Sequence, residues 1–157
     1  MLTRGFNHVA VLTNDTEQFH AFYEEVFDAK ARDAGGDPPP EPGMRLTFVD
    51  VGPGIELNVF EITGNTEADR QTPMFERGRI DHLALQAKSI ADFETIRDRL
   101  VARGSSDGFV TDFGPIYSLF FRDPDGLECE VCVENPDAVP GVGNPPGTPA
   151  KRYHPDA

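Results

Sequence analysis

Four residues stand out by type and spacing: His8, Glu56, His82 and Glu130. Subtracting 8 from 56 and 82 from 130 gives the same separation, 48 residues, and subtracting 8 from 82 gives an offset of 74. Two imidazoles and two carboxylates make a donor set suited to one first-row divalent cation, Ni, Co, Zn, Mn or Fe, with positions left over for water or substrate. Ca and Mg fit less well because they favour all-oxygen shells. Taken singly, a strand histidine is ordinarily a hydrogen-bonded structural residue and a strand glutamate a solvated one. The shared offset is what turns four ordinary residues into a candidate site. His20 and His154 fall outside it, and Glu128 and Glu134 are charges without an assigned role.

The offset reaches well beyond these four. Ala10 maps to Ala84, Asp15 to Ser89, Phe19 to Phe93, Gly52 to Gly126 and Val59 to Val133, and a repeat of supersecondary units constrains a fold more firmly than local propensity does. Residues 5–13 read as a strand. The helix that follows is capped by Asp15 with Gln18 three residues on, and Phe19, Phe22, Tyr23, Val26 and Phe27 form its apolar stripe. Residues 33–43 are a proline-rich loop. Residues 44–51 and 55–62 pair as a hairpin around Gly52-Pro53-Gly54, and 63–78 connect the halves.

The second half repeats this order. Residues 79–86 read as a strand carrying His82, and a helix capped by Ser89 turns Phe93, Ile96, Leu100 and Val101 inward and stops at Gly104. Strands over 109–113, 116–122 and 127–134 follow, the last pair joined by Asp123-Pro124-Asp125-Gly126. Residues 136–157 hold six prolines and are expected as a tail without regular structure. Period-2 alternation puts His8 on a face with Ala10 and Leu12, Glu56 with Asn58 and Phe60, His82 with Ala84 and Gln86, and Glu130 with Glu128 and Cys132.

A length of 157 residues gives about one domain, and 38% hydrophobic residues with 12 Phe supply one core. A formal net charge of −13 repels phosphate backbones and anionic lipid, so neither nucleic acid nor a membrane surface is expected as a partner. No run approaches the ~18 apolar residues of a membrane span, and the opening Met-Leu-Thr-Arg-Gly-Phe-Asn-His lacks the apolar core of a signal peptide. A cytoplasmic location is expected. Cys129 and Cys132 have CxxC spacing but lie in a strand-like run, so they are read as buried strand cysteines and not as a redox pair.

Phe6-Asn7-His8-Val9-Ala10-Val11, Ile80-Asp81-His82-Leu83-Ala84-Leu85 and Phe121-Arg122-Asp123-Pro124-Asp125-Gly126-Leu127-Glu128-Cys129-Glu130 resemble the two opening strands and the closing hairpin of the vicinal oxygen chelate superfamily, which includes glyoxalase I, epimerases, extradiol dioxygenases, fosfomycin-modifying enzymes and bleomycin-binding proteins. The match runs from about residue 5 to 135. It implies an α+β domain over 1–135 built of two tandem βαβββ modules, 5–62 and 79–135, whose curved mixed sheet encloses a metal-binding cleft, often in a homodimer. Carried over by position, His8, Glu56, His82 and Glu130 match the four metal positions of glyoxalase I. Leu12 and Phe60 stand where bacterial glyoxalases commonly have the Arg and Asn that hold glutathione, so that substrate does not carry over.

The resemblance implies a small-molecule substrate and one divalent metal ion. In the leading expectation, a glyoxalase-like or epimerase-like enzyme, a lyase or isomerase, binds neighbouring substrate oxygens at the metal and moves a proton at the adjacent carbon, with Glu130 or Glu56 as the base. The alternatives are an Fe(II) dioxygenase using His8, His82 and Glu130, with Tyr117 and Ser118 in its pocket, and a metal-free drug-binding protein with an acidic cleft.

Overall fold

The computed structural model describes residues 2, 5–34, 42–138 and 151–156. The chain forms two compact units, Met1–Gln71 with Pro124–Gly126, and Thr72–Asp123 with Leu127–Ala157.

In the first unit, β1 (His8–Leu12), α1 (Thr16–Phe27), β2 (Lys30–Asp33), β3 (Met44–Gly52) and β4 (Ile55–Ile62) follow one another, and the sheet order is β1-β4-β3-β2. Helix α1 begins where the sequence places it, because the Asp15 side chain accepts the Gln18 amide at 3.0 Å and satisfies one orphan donor. Phe19, Phe22, Tyr23 and Val26 are buried together with Val49, Leu57 and Val59 of the sheet. Alternation turns the other face, with His8, Ala10, Leu12, Glu56, Asn58 and Phe60, away from this core.

The second unit repeats the plan with β5 (Ala84–Gln86), α2 (Ile90–Ala102), β6 (Val110–Asp112), β7 (Ile116–Arg122) and β8 (Glu128–Glu134), in the order β5-β8-β7-β6. Ser89 caps α2 through the Asp92 amide at 3.1 Å. Gly104, at φ +71°, ends it, with the Ser105 amide donating to the Leu100 carbonyl at 2.9 Å. The chain is thus α+β, with two βαβββ modules and two open mixed sheets.

The structure corrects the sequence reading at three places. Only Ala84–Gln86 of the expected strand 79–86 joins the sheet. The Arg77 guanidinium donates to the carbonyls of Asp81 (3.0 Å) and Glu128 (2.9 Å), giving 81–83 an irregular path. Strand β2 was not anticipated; Lys30-Ala31-Arg32-Asp33 is a charged edge strand with no apolar signal. The expected unstructured tail contains β9 (Lys151–Tyr153), which extends the second sheet by pairing antiparallel with β6. Most of the 33–43 loop and residues 139–150 lie outside the described residues. None of the described helices is long and apolar enough to cross a membrane.

Candidate functional site

In the first module β1 runs parallel to β4, and His8 stands directly opposite Glu56. His8 is exposed, and its Nδ1 lies 2.8 Å from Oδ1 of Asn7. Glu56 pairs with Arg32 of β2, whose guanidinium also lies 4.2 Å over the Phe48 ring. Phe60 is on the same face, two strand positions beyond Asn58. The buried Asn58 Oδ1 has no hydrogen-bond partner among the described residues.

The second module has a different register. Glu130 stands opposite Ala84, not His82, so the strand pairing is displaced by two residues relative to the first module. Two residues along a strand return to the same face at roughly 7 Å, within reach of two long side chains. His82 Nε2 accordingly lies 3.2 Å from Glu130 Oε2. The 74-residue offset holds for the side chains while the backbone ladder departs from it.

Glu130 is largely enclosed. Its Oε1 accepts the Ser118 hydroxyl at 2.9 Å and its Oε2 lies 3.7 Å from the Cys132 thiol. Ser118 is fully buried on the Glu130 face, whereas Tyr117, one residue earlier, lies on the opposite face with Leu119. The Cys132 thiol is pushed up to about 11 by burial, and Cys129 to about 12 by the same cause, so neither is a thiolate near neutrality. Both cysteines are buried and free, as the strand reading expected.

His82 Nδ1 lies 2.7 Å from Asp81 Oδ2, and the other Asp81 oxygen accepts the Phe75 amide. The hydrogen bond with His82, foremost, holds the Asp81 carboxyl below its ordinary range. The residue before each candidate histidine thus offers an oxygen to Nδ1, and 81 minus 7 is again 74. Holding a proton on Nδ1 leaves Nε2 as the lone-pair donor, which is how ligating histidines are oriented in metal sites.

This donor chemistry fits a divalent cation. Each module contributes one imidazole with its Nδ1 engaged and one carboxylate, and among the described residues no group of three or more His, Cys, Asp or Glu is gathered for a cation. The other histidines are used elsewhere: His20 Nε2 meets the buried Thr47 hydroxyl at 2.8 Å, and His154 packs edge-on against Phe109. Sequence reasoning missed Asn7, Arg32, Asp81 and Glu128. Glu128 accepts the Met74 amide at 2.6 Å and pairs with Arg122 at 2.8 Å, and these contacts, Arg122 foremost, hold its carboxyl below the ordinary range. The signal for Asn7 and Asp81 was present, since both obey the offset.

The family model described as Glyoxalase/Bleomycin resistance protein/Dioxygenase superfamily matches residues 5–131. Lactoylglutathione lyases of Escherichia coli O157:H7 and Salmonella typhimurium are 31% and 30% identical over 145 residues, spanning 87% of this chain and 97% of theirs. Among solved structures, a glyoxylase/bleomycin resistance protein/dioxygenase domain from Frankia sp. EAN1pec is similar with a TM-score of 0.66 at 22% identity, covering 86% of this chain and 95% of that one. The fosfomycin resistance protein FosX from Listeria monocytogenes, complexed with Mn(II) and sulfate, is similar with a TM-score of 0.55 at 17% identity, covering 87% and 97%.

Proposed function

Because the chain belongs to the glyoxalase/bleomycin resistance protein/dioxygenase superfamily, we propose that it is a metal-dependent lyase or isomerase that moves a proton on a small substrate bearing two neighbouring oxygens. His8, Glu56, His82 and Glu130 hold the divalent cation, and the working form is a homodimer. The observation that carries this reading is the matched pair of imidazoles, each with Nδ1 occupied by the preceding residue, with His82 Nε2 turned to Glu130 Oε2 at 3.2 Å. A bound cation would supply Lewis acidity, drawing charge from the two oxygens so that the adjacent C–H becomes acidic.

The protein supplies the rest. Glu56 is engaged by Arg32, while Glu130 is held by the neutral Ser118 hydroxyl and is the more enclosed of the two, with a side chain 13% exposed against 36%. Glu130 is therefore the base: Ser118 fixes Oε1, and Oε2 takes the proton from carbon and returns it. The Glu130→Gln variant keeps an oxygen for Ser118 and loses the proton acceptor. It should lower solvent deuterium exchange into 2-hydroxycarbonyl compounds by about 100-fold or more, a larger loss than that of metal affinity. Full exchange activity in that variant removes Glu130 from the role.

The Arg32–Glu56 ion pair favours one second reading. With Glu56 engaged, His8, His82 and Glu130 remain as two imidazoles and one carboxylate, the set used by Fe(II) oxygenases. Ferrous-dependent oxygen uptake with a catechol distinguishes it from proton transfer.

A further inference from the structure

Phe75 combines three features that packing alone does not explain. It is 83% exposed, its backbone sits at φ +70°, and its ring stands edge-on to His82 with centroids 6.4 Å apart. A bulky non-glycine residue at positive φ is an outlier that persists only when its surroundings impose it. Here the Phe75 amide donates to Asp81, the same carboxylate that orients His82. One acidic side chain therefore fixes both the candidate metal ligand and an exposed aromatic ring beside it.

That ring forms part of the wall of a pocket of about 570 Å³ within the second unit. Met74 and Phe120 supply further apolar wall, and Phe120 is the cross-strand neighbour of Glu130. The polar groups on the rim are already engaged. The Ser106 hydroxyl donates to the Phe120 carbonyl at 2.6 Å, Asp107 accepts the Phe109 amide and pairs with Arg152, and Arg122 pairs with Glu128. Arg122 and Glu128 neutralise each other, as do Arg152 and Asp107, so among the described lining residues no unpaired cation is offered to a carboxylate or phosphonate. What it offers a ligand is apolar and aromatic surface, and its size is that of a small-molecule site.

We propose that this pocket receives an uncharged aromatic substituent of the substrate, stacked on Phe75, while the substrate's paired oxygens occupy the metal centre. The inference rests on the metal-centre reading of the preceding subsection. It makes the substrate an aryl-substituted compound with vicinal oxygens, and it leaves the charged peptide tail that a glutathione conjugate carries without a charged partner among the described lining residues.

Benzohydroxamate and acetohydroxamate share one bidentate oxygen head and differ in the ring, so they separate the pocket from the metal. Calorimetric titration of both into the metal-reconstituted protein should show the aryl compound about tenfold tighter. In Phe75→Ala the advantage should shrink to roughly twofold with acetohydroxamate affinity unchanged. Ala at positive φ keeps the backbone cost, and a thermal melt checks the fold of the variant. An equal preference in wild type and Phe75→Ala, or none in wild type, overturns the pocket and leaves the metal reading standing. Should acetohydroxamate fail to bind at all, the metal reading fails. The pocket is then judged on chelator-treated protein by NMR titration with benzamide, whose binding must be present in wild type and lost in Phe75→Ala.

Discussion

At the scale of single residues, the candidate site is defined as much by what holds the histidines as by the histidines themselves. A ring nitrogen donates to a cation only if its proton sits on the other nitrogen, and Asn7 and Asp81 impose that choice. Outer partners of this kind are ordinarily worth about 10–100-fold in metal affinity. Asp81→Ala should therefore weaken metal binding by that order, with Asp81→Asn recovering part of it because the amide oxygen still accepts from Nδ1. A competition titration with a chromophoric chelator measures both, and an Asp81→Ala affinity equal to wild type removes the residue from this role. The four proposed ligands were legible in the sequence through their offset. Arg32 was not, because a charged residue in a charged edge strand carries no pattern that marks it as facing Glu56.

At the scale of elements, capping and most of the apolar periodicity were legible, although Val101, expected to face inward, is exposed and Arg97 is buried in α2. Asp15 and Ser89, 74 residues apart, both close the first turn of a helix as read, each contributing about 1 kcal/mol. What escaped was set by polar contacts between distant segments. Ahead of β5 and at the start of β8 the Arg77 guanidinium donates to the Asp81 and Glu128 carbonyls, and just past β9 a buried guanidinium meets Asp156. Arg97, 6% exposed, donates to the Gly108 carbonyl at 2.7 Å and to Asp156 at 2.9 Å, with His154 3.4 Å away and Asp98 at 3.5 Å.

The Arg97 hydrogen bond, and next its charge, hold the Asp156 carboxyl below its ordinary 3.8. A depressed folded value means that the stabilising contact is complete above that ordinary value and is lost as pH falls through the lower one. Amide exchange at Lys151–Tyr153, corrected for intrinsic rates, should rise on acidification below that range. In Asp156→Asn it should already be raised at neutral pH. Protection at these amides that is the same in Asp156→Asn and wild type, at neutral and acidic pH alike, contradicts this anchoring.

At the scale of the whole molecule, the two halves follow one plan, with residues of the same type at the 74-residue offset. In the first, His8 and Glu56 face each other on adjacent parallel strands, whereas in the second His82 lies ahead of β5 and Glu130 stands opposite Ala84. The offset therefore identifies the residues better than it identifies the ladder. The net charge of −13 suits attraction of a cation and repulsion of polyanions, and the pocket beside His82 adds apolar selectivity to that field.

The central proposal is that His8, Glu56, His82 and Glu130 hold a divalent metal, and metal stoichiometry tests it most directly. Elemental mass spectrometry on protein purified without chelator, beside His8→Ala and His82→Ala, should find about one divalent ion per chain in wild type and strong depletion in each variant. Wild-type protein that stays metal-free after reconstitution, or variants that bind as wild type does, would contradict the account.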